Sequence, residues 1–282
     1  MEKLVLIDGN SLIYRAFYAM PLFLTKKGQY TNAVYGFMNM FSKILNSVNP
    51  THVVVAFDRK EPTFRHKSFA GYKATRKPMP VELVSQVPLL KEVLADMGIK
   101  TVEKAGIEAD DIIGTYAKNT NVETIIITGD RDSFQLVDES TSVYLTRKGI
   151  SELEIYNKDN FKEKTGINPC QVIELKALMG DSSDNIPGVS GVGEKTAISL
   201  LDKYVTIDGV YQNIADLKGK LLEKLTNGKE SCYLSRELAT IKTDCDINVD
   251  LNSATLNLPF GDNLKAKFVE LEFKSLINKK EF

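Results

Sequence analysis

Apolar positions fall into two kinds of run. Short aliphatic blocks at 4–7, 53–57 and 124–128 each close on an aspartate within two residues, Asp8, Asp58 and Asp130. These read as strands, with further ones at 99–102 and 143–145. Between them the spacing turns helical. Residues 12–19 follow the cap Ser11, and a segment from Thr31 carries Ala33, Val34, Phe37, Phe41, Ile44 and Leu45 on one face until Asn49-Pro50 stops it. Residues 81–97 predict a helix kinked at Pro88, and another runs from Gly106 to Lys118. Strand alternating with helix predicts an α/β fold with a mostly parallel central sheet flanked by helices.

Later in the chain the strand pattern disappears. Pro169 opens a helix that Gly180 ends after Met179, residues 194–204 are helical, 216–242 keep a helical pattern with Leu217, Leu221, Leu222 and Leu225 as core candidates, and 264–277 read as one more helix. Two units are therefore expected: an α/β core over 1–175 and a helical region over 176–282.

In open parallel sheets the site lies at the carboxyl ends of the strands, where Asp8, Asp58 and Asp130 fall. Further carboxylates sit at turns and first helical turns: Glu108, Asp110 and Asp111, then Asp132, then Asp181 and Asp184 in the loop after Gly180. Any one of them can be a helix cap. Nine on one rim cannot all stay ionised without cations, and all-oxygen donors suit Mg²⁺ or Mn²⁺. Two such ions about 4 Å apart would activate water and polarise a phosphodiester.

The charge pattern supports a polyanionic partner. The net charge is −1, but with those nine acids set aside 36 basic residues face 28 acids. An insert over 59–80 carries Arg59, Lys60, Arg65, Lys67, Lys73, Arg76 and Lys77 among Phe64, Phe69 and Tyr72, the mixture that a single-strand channel uses. After Asp184 comes Pro187-Gly188-Val189-Ser190-Gly191-Val192-Gly193-Glu194-Lys195-Thr196, a glycine-laced turn that offers backbone N–H groups to phosphate. It is not a nucleotide-binding loop, since Glu194 intrudes before Lys195-Thr196 and no strand precedes it. An aspartyl-phosphate enzyme is disfavoured because Asn10 stands two residues after Asp8.

Composition excludes other classes. Cys170, Cys232 and Cys245 are scattered, and His52 and His66 are the only histidines, so neither a zinc site, a disulfide framework nor a histidine base is suggested. The run at 4–7 is too short for a signal peptide and no apolar stretch approaches a membrane span, so a cytoplasmic protein is expected. Nothing asks for an oligomer, and a monomer is expected.

Asp8-Gly9-Asn10 with Tyr14-Arg15-Ala16, Ala56-Phe57-Asp58, Tyr72-Lys73 with Arg76, Glu108-Ala109-Asp110-Asp111, Thr128-Gly129-Asp130-Arg131-Asp132 and the 180–193 stretch resemble, in order, the 5′-nuclease domain of bacterial DNA polymerase I and the related flap endonucleases. The resemblance spans nearly the whole chain, without departure at the nine acids. It implies a PIN-like core, with Asp8, Asp58, Glu108, Asp110 and Asp111 around the ion nearer the cleaved phosphate and Asp130, Asp132, Asp181 and Asp184 around a second. Arg15, Lys73 and Arg76 would approach the scissile phosphate and Tyr72 would stack a base. The insert, with Arg65 and Lys67 on DNA, would be a helical arch admitting a 5′ single strand.

Residues 186–201 would form a helix-hairpin-helix holding duplex phosphates through Gly188, Ser190, Gly191, Gly193, Lys195 and Thr196, with K⁺ on Val189 and Gly191. The implied activity is two-metal 5′-3′ exonuclease and flap endonuclease cleavage of DNA, RNA primer–DNA hybrids included, in replication and repair, linked to or working with a DNA polymerase. A non-catalytic branched-DNA binder and an RNase on a related acidic core are the alternatives.

Overall fold

Residues 2–147 and 152–282 are described by the computed structural model. Its strands are β1 (Lys3–Asp8), β2 (His52–Ala56), β3 (Lys100–Val102), β4 (Glu123–Thr128), β5 (Thr141–Thr146) and β6 (Leu153–Tyr156). They form one sheet in the order β3-β2-β1-β4-β5-β6. The first five are parallel and β6 runs antiparallel to β5 at the edge. Alternate residues of the central strands feed two cores. Val5, Ile7, Val53, Val55, Ile125 and Ile127 face the helices Gly9–Ala19, Asn32–Val48 and Gln86–Asp96. Leu4, Leu6, Val54, Ala56 and Ile126 face the helix Ala109–Asn119. Burial on both sides explains why these strands read as unbroken apolar blocks.

β1 lies between β2 and β4, so the direction of winding reverses there and a crevice opens at the carboxyl ends of β1 and β4. Asp8 ends β1, and Asp130 follows β4 by two residues.

Several element boundaries differ from expectation, each for a local reason. The 81–97 helix breaks at Ser85 into Val81–Val84 and Gln86–Asp96, because Pro88 has no N–H to give the carbonyl one turn back, at Val84. The 216–242 stretch holds two helices, Gly219–Asn227 and Lys229–Ala239, parted at Gly228. A Cβ at Gly228 would stand 2.8 Å from Val189 Cγ1, so close packing on the hairpin selects glycine there. The tail is two helices, Asp262–Glu270 and Lys274–Ile277. β6 and the helix Lys158–Thr165 carry too few buried positions to announce themselves.

From Ala177 onward the chain builds its own small core from Leu178, Val189, Val192, Ala197, Leu200, Leu201, Ile207, Val210 and Leu225. It then returns, and Leu264, Phe268, Phe273, Leu276 and Phe282 pack on the first face of the α/β core. The 59–80 insert contains one five-residue helix, Phe64–Ser68, followed by turns. It does not stand free: Tyr72 packs with Ile186, Leu238 and Ala239, pinning the insert to the helical region.

Candidate active site

The strand ends deliver their aspartates to one cleft of about 1170 Å³. Asp8, Asp58, Asp110, Asp130, Asp132 and Asp181 line it, together with Arg15, Lys73, Arg76, Lys77, Arg131 and Lys176. Asp8 accepts the Ser11 N–H at 2.9 Å and the Thr128 hydroxyl at 3.0 Å, which fixes it at the mouth of the helix that follows β1. Asp58 accepts the Ala109 N–H at 2.8 Å and so ties the end of β2 to the start of the acidic helix. Asp130 accepts the Asp132 N–H at 2.9 Å. Each tie uses part of a carboxylate and leaves the rest facing the cleft.

Glu108, Asp111 and Asp184 do not line it. Asp111, 1% exposed, receives both terminal nitrogens of Arg65 at 2.8 and 2.7 Å and the Lys242 N–H at 2.9 Å. Glu108 accepts Thr63 Oγ1 at 3.0 Å, the Tyr72 hydroxyl at 3.1 Å and Lys73 Nζ at 2.7 Å. Asp184 pairs with Arg76 and accepts the Tyr72 hydroxyl at 3.3 Å. These three carboxylates already have cations, which separates them from Asp8, Asp58, Asp110 and Asp130 in the cleft, whereas Asp132 and Asp181 share Lys176. Lys73 and Arg65 hold Glu108 below the usual carboxylate range although its burial pushes the other way.

Two expectations about the insert are thereby corrected. Arg65, read as a DNA contact, is 3% exposed and also donates to the Leu238 and Thr240 carbonyls at 2.9 and 2.7 Å, so it clamps the insert to the helical region. Tyr72, read as a stacking ring, is 4% exposed, and its hydroxyl is bonded to two carboxylates. Lys73 takes a left-handed φ of 54°, which is uncommon for a lysine, and its N–H bonds the Asp184 carbonyl at 2.9 Å. That strained turn aims its ammonium at the cleft edge. Lys67 is exposed, and Arg15 lines the cleft with its guanidinium donating to the Arg147 carbonyl.

Electrostatics mark the cleft acids as unfinished. Burial, then Asp58 and Asp130, pushes Asp8 up to about 7. Burial and neighbouring Asp130 push Asp132 up to about 7 although Lys176 opposes it. Asp110 is raised well above the ordinary value by burial, Asp8 and Asp130, and its buried Oδ1 has no hydrogen-bond partner. Lys176 donates to both Asp132 and Asp181; Asp181, despite burial, is held down at about 2 by that ammonium. Among the described residues, no three acid, histidine or cysteine side chains already converge on one ion position. The donor set nonetheless fits hard divalent cations: it is all oxygen, crowded, and includes an orphaned carboxylate atom.

Sequence reasoning missed Lys176 and Tyr18. Lys176 sits one turn before the end of its helix, five residues before Asp181, a spacing that could have flagged it. Tyr18 lines the cleft, is 71% exposed, and lies one turn beyond Tyr14 on the helix Gly9–Ala19, off the stripe of Leu12, Ile13, Ala16 and Phe17 that is buried.

The hairpin lies between the helices Val172–Met179 and Glu194–Tyr204. Gly180 and Gly188 are back to back: a Cβ on Gly188 would sit 2.2 Å from the Gly180 nitrogen. Gly188 is therefore a packing glycine, buried, with its N–H on Ser235 Oγ at 2.9 Å, which corrects its assignment to DNA contact. Ser190, Gly191, Gly193 and Lys195 are exposed and Thr196 is half-buried. Of the expected K⁺ ligands, the Val189 carbonyl accepts the Val192 N–H at 3.0 Å and the Gly191 carbonyl accepts Lys224 Nζ at 2.8 Å.

Comparison with known proteins places the chain among nucleases. A family model described as the 5′-3′ exonuclease N-terminal resolvase-like domain matches residues 3–166, and one described as the 5′-3′ exonuclease C-terminal SAM fold matches 167–260. DNA polymerase I of Bacillus subtilis (strain 168) is 46% identical over 99% of this chain and 32% of its own length. That of Caldicellulosiruptor bescii is 43% identical over 98% of this chain and 33% of its own. The chain thus spans about a third of the curated relatives it matches. In fold it is similar to the T5 5′-exonuclease solved with bound divalent metal ions (zinc), with a TM-score of 0.70, 22% identity, and coverage of 96% of this chain and 99% of that one. The catalytic core of Rad2 in complex with a DNA substrate superposes with a TM-score of 0.62 at 18% identity, covering 96% and 88%.

Proposed function

The chain belongs to the 5′-3′ exonuclease family, and from that premise we propose that it is a divalent-metal-dependent, structure-specific 5′ nuclease acting on DNA flaps, nicks and ends. The observation that carries the reading is the convergence of six aspartates, one of them with an orphaned buried oxygen, in a cleft at the switch point of the sheet. Asp8, Asp58, Asp110, Asp130, Asp132 and Asp181 would hold two Mg²⁺ or Mn²⁺ ions. When bound, such ions supply Lewis-acid activation of water and of the phosphodiester.

The chain's own residues do the rest. Lys73 and Arg76, held by Glu108 and Asp184 at the cleft edge, bind and orient the scissile phosphate. Arg15, which also lines the cleft, adds a third cation. Tyr18, exposed on the rim, takes the base-stacking role that Tyr72 is too buried to fill. The exposed hairpin at Ser190, Gly191, Gly193 and Lys195 and the first turn of the helix Glu194–Tyr204 grip duplex phosphates without reading bases. The physiological role in this reading is removal of RNA primers and displaced flaps beside a polymerase, since the curated relatives carry that name.

The test is cleavage of an end-labelled 5′-flap duplex, with an unbranched duplex and an RNA flap alongside, in Mg²⁺ and in EDTA. Cutting at the junction that EDTA abolishes is expected. Binding of the flap with no cutting in Mg²⁺ or Mn²⁺ would instead make the protein a branched-DNA binder, and equal cutting of unbranched duplex would remove structure specificity.

A further inference from the structure

The six aspartates of the cleft do not share its cations evenly. Among the described residues Asp8, Asp58, Asp110 and Asp130 form no ion pair, whereas Asp132 and Asp181 both hold Lys176. The Lys176 side chain is 15% exposed, and its ammonium bridges Asp132 Oδ1 and Asp181 Oδ2. One end of the cleft is therefore open to cations, and the other already contains one.

The parts of that end differ in how firmly they are held. Asp181 Oδ1 accepts the Ser183 N–H at 2.8 Å and the Ser183 hydroxyl at 2.6 Å, all within one loop. Reciprocal backbone bonds between Asp181 and Ile186, at 2.9 and 2.8 Å, close that loop. Lys176 comes from the helix Val172–Met179, and its carbonyl accepts the Gly180 N–H at 2.8 Å, so its backbone is fixed as well. Its ammonium is not: it ends a flexible four-carbon stem on the wall of the cleft. A divalent ion ligated by Asp132 and Asp181 would share both carboxylates with that ammonium, and like charges so close repel strongly in a half-buried site. The lysine is the member that can give way.

We propose that Lys176 is a positioning residue for the second ion. In the metal-free protein its ammonium holds Asp132 and Asp181 together, and the second divalent ion gains those two carboxylates only by displacing it. The inference rests on the two-ion reading given above. Its consequence is that the two ions bind unequally: the first enters the end with Asp8, Asp110 and Asp130, and the second works against a tethered competitor.

The experiment is isothermal titration calorimetry of the metal-free protein with Mn²⁺ and no DNA, so that binding is read and turnover is not. In the wild type the second ion is expected to bind at least about tenfold more weakly than the first. Lys176→Met, which keeps most of the stem and removes the charge, should tighten the second ion about tenfold and leave the first within about twofold. Lys176→Arg should keep the gap. A merely structural lysine predicts the reverse, since its loss would leave Asp132 and Asp181 unpositioned and weaken the second ion. Acetylation of the wild type, read by mass spectrometry, needs no variant and serves if Lys176→Met does not fold: Lys176 should be protected without metal and become labelled as the second ion saturates. Two equal ions in the wild type overturn the proposal and leave metal-dependent cleavage intact. So does a second ion that Lys176→Met leaves unchanged, weaker or absent, a tightening of both ions alike, or labelling of Lys176 that Mn²⁺ does not raise. A wild type that binds no divalent ion overturns the two-ion reading together with it.

Discussion

The acids beneath the insert and the acids in the cleft are the same kind of residue in adjacent parts of one fold, yet they are treated in opposite ways. Glu108, Asp111 and Asp184 each meet a cation or a set of donors that completes them. Asp8, Asp110 and Asp132 are buried beside other aspartates, and burial and then those neighbours raise their pKa values, at Asp132 even against the Lys176 ammonium. Glu108, Asp110 and Asp111, four residues end to end with Ala109, fall on both sides of the divide because successive helical positions face different ways. A paired carboxylate holds structure together, whereas a crowded one stores a demand for positive charge that a ligand can meet.

Breaking the first region should produce the largest effect. Arg65→Met leaves Asp111 buried without its bidentate partner and frees the Leu238 and Thr240 carbonyls, a loss of about 3–5 kcal/mol in a denaturant melt. A loss below about 1 kcal/mol would mean that Asp111 finds other partners and that the contrast between the regions is overstated.

The second region should respond to pH and metal. Burial and neighbouring aspartates raise Asp8 and Asp132 from the ordinary aspartate value of 3.8 to about 7 in the folded protein. Between those values the folded protein holds protons that the unfolded chain has released, so this contribution is fully present below the unfolded value and is lost progressively as pH rises to about 7, above which both states are ionised. Metal-free protein should therefore lose stability from about pH 4 to about pH 7, by at most roughly 1.4 kcal/mol per pH unit for each such proton, and level off above that. Mg²⁺ should raise the melting temperature more at pH 8 than at pH 6, since it competes with protons for the same oxygens. A flat pH profile without metal would show that Lys176 and its neighbours already neutralise the cleft.

Asp110→Asn sharpens the comparison further. It removes a buried charge whose Oδ1 has no partner, so the metal-free variant should be about 1 kcal/mol more stable than the wild type while flap cleavage is abolished. Stability gained with turnover retained would remove Asp110 from the catalytic set.

The central strands were legible because burial on both faces leaves unbroken apolar blocks, and Asp8, Asp58 and Asp130 were legible because they close those blocks; the order of strands in the sheet and the edge strand β6 were not. The division among the acids was not. Whether Asp111 meets a metal or Arg65 depends on a contact 46 residues away in sequence, and spacing carries no trace of it. Tyr72 was misplaced for the same reason: basic, aromatic composition describes the insert, while its fold-down onto Ile186, Leu238 and Ala239 is a tertiary event. Gly188 and Gly228 were visible as glycines, but the close approaches that require them appear only when the hairpin, the 172–179 helix and Val189 are placed together.

Arg65 and Lys67 allow the finest form of the comparison, two cations of one short helix that differ only in the way they face. Lys67 is exposed and Arg65 is enclosed. Lys67→Ala should therefore stay within about 0.5 kcal/mol of wild-type stability, as surface changes away from special features do. If Lys67 meets a phosphate of the flap, its loss should lower the magnitude of the log Kd against log salt slope by roughly 0.7–0.9, the counterion share of one contact. An unchanged slope would confine the insert's contribution to Lys73 and Arg76, and would make its outer face a solvated surface in which only the inward-facing arginine matters.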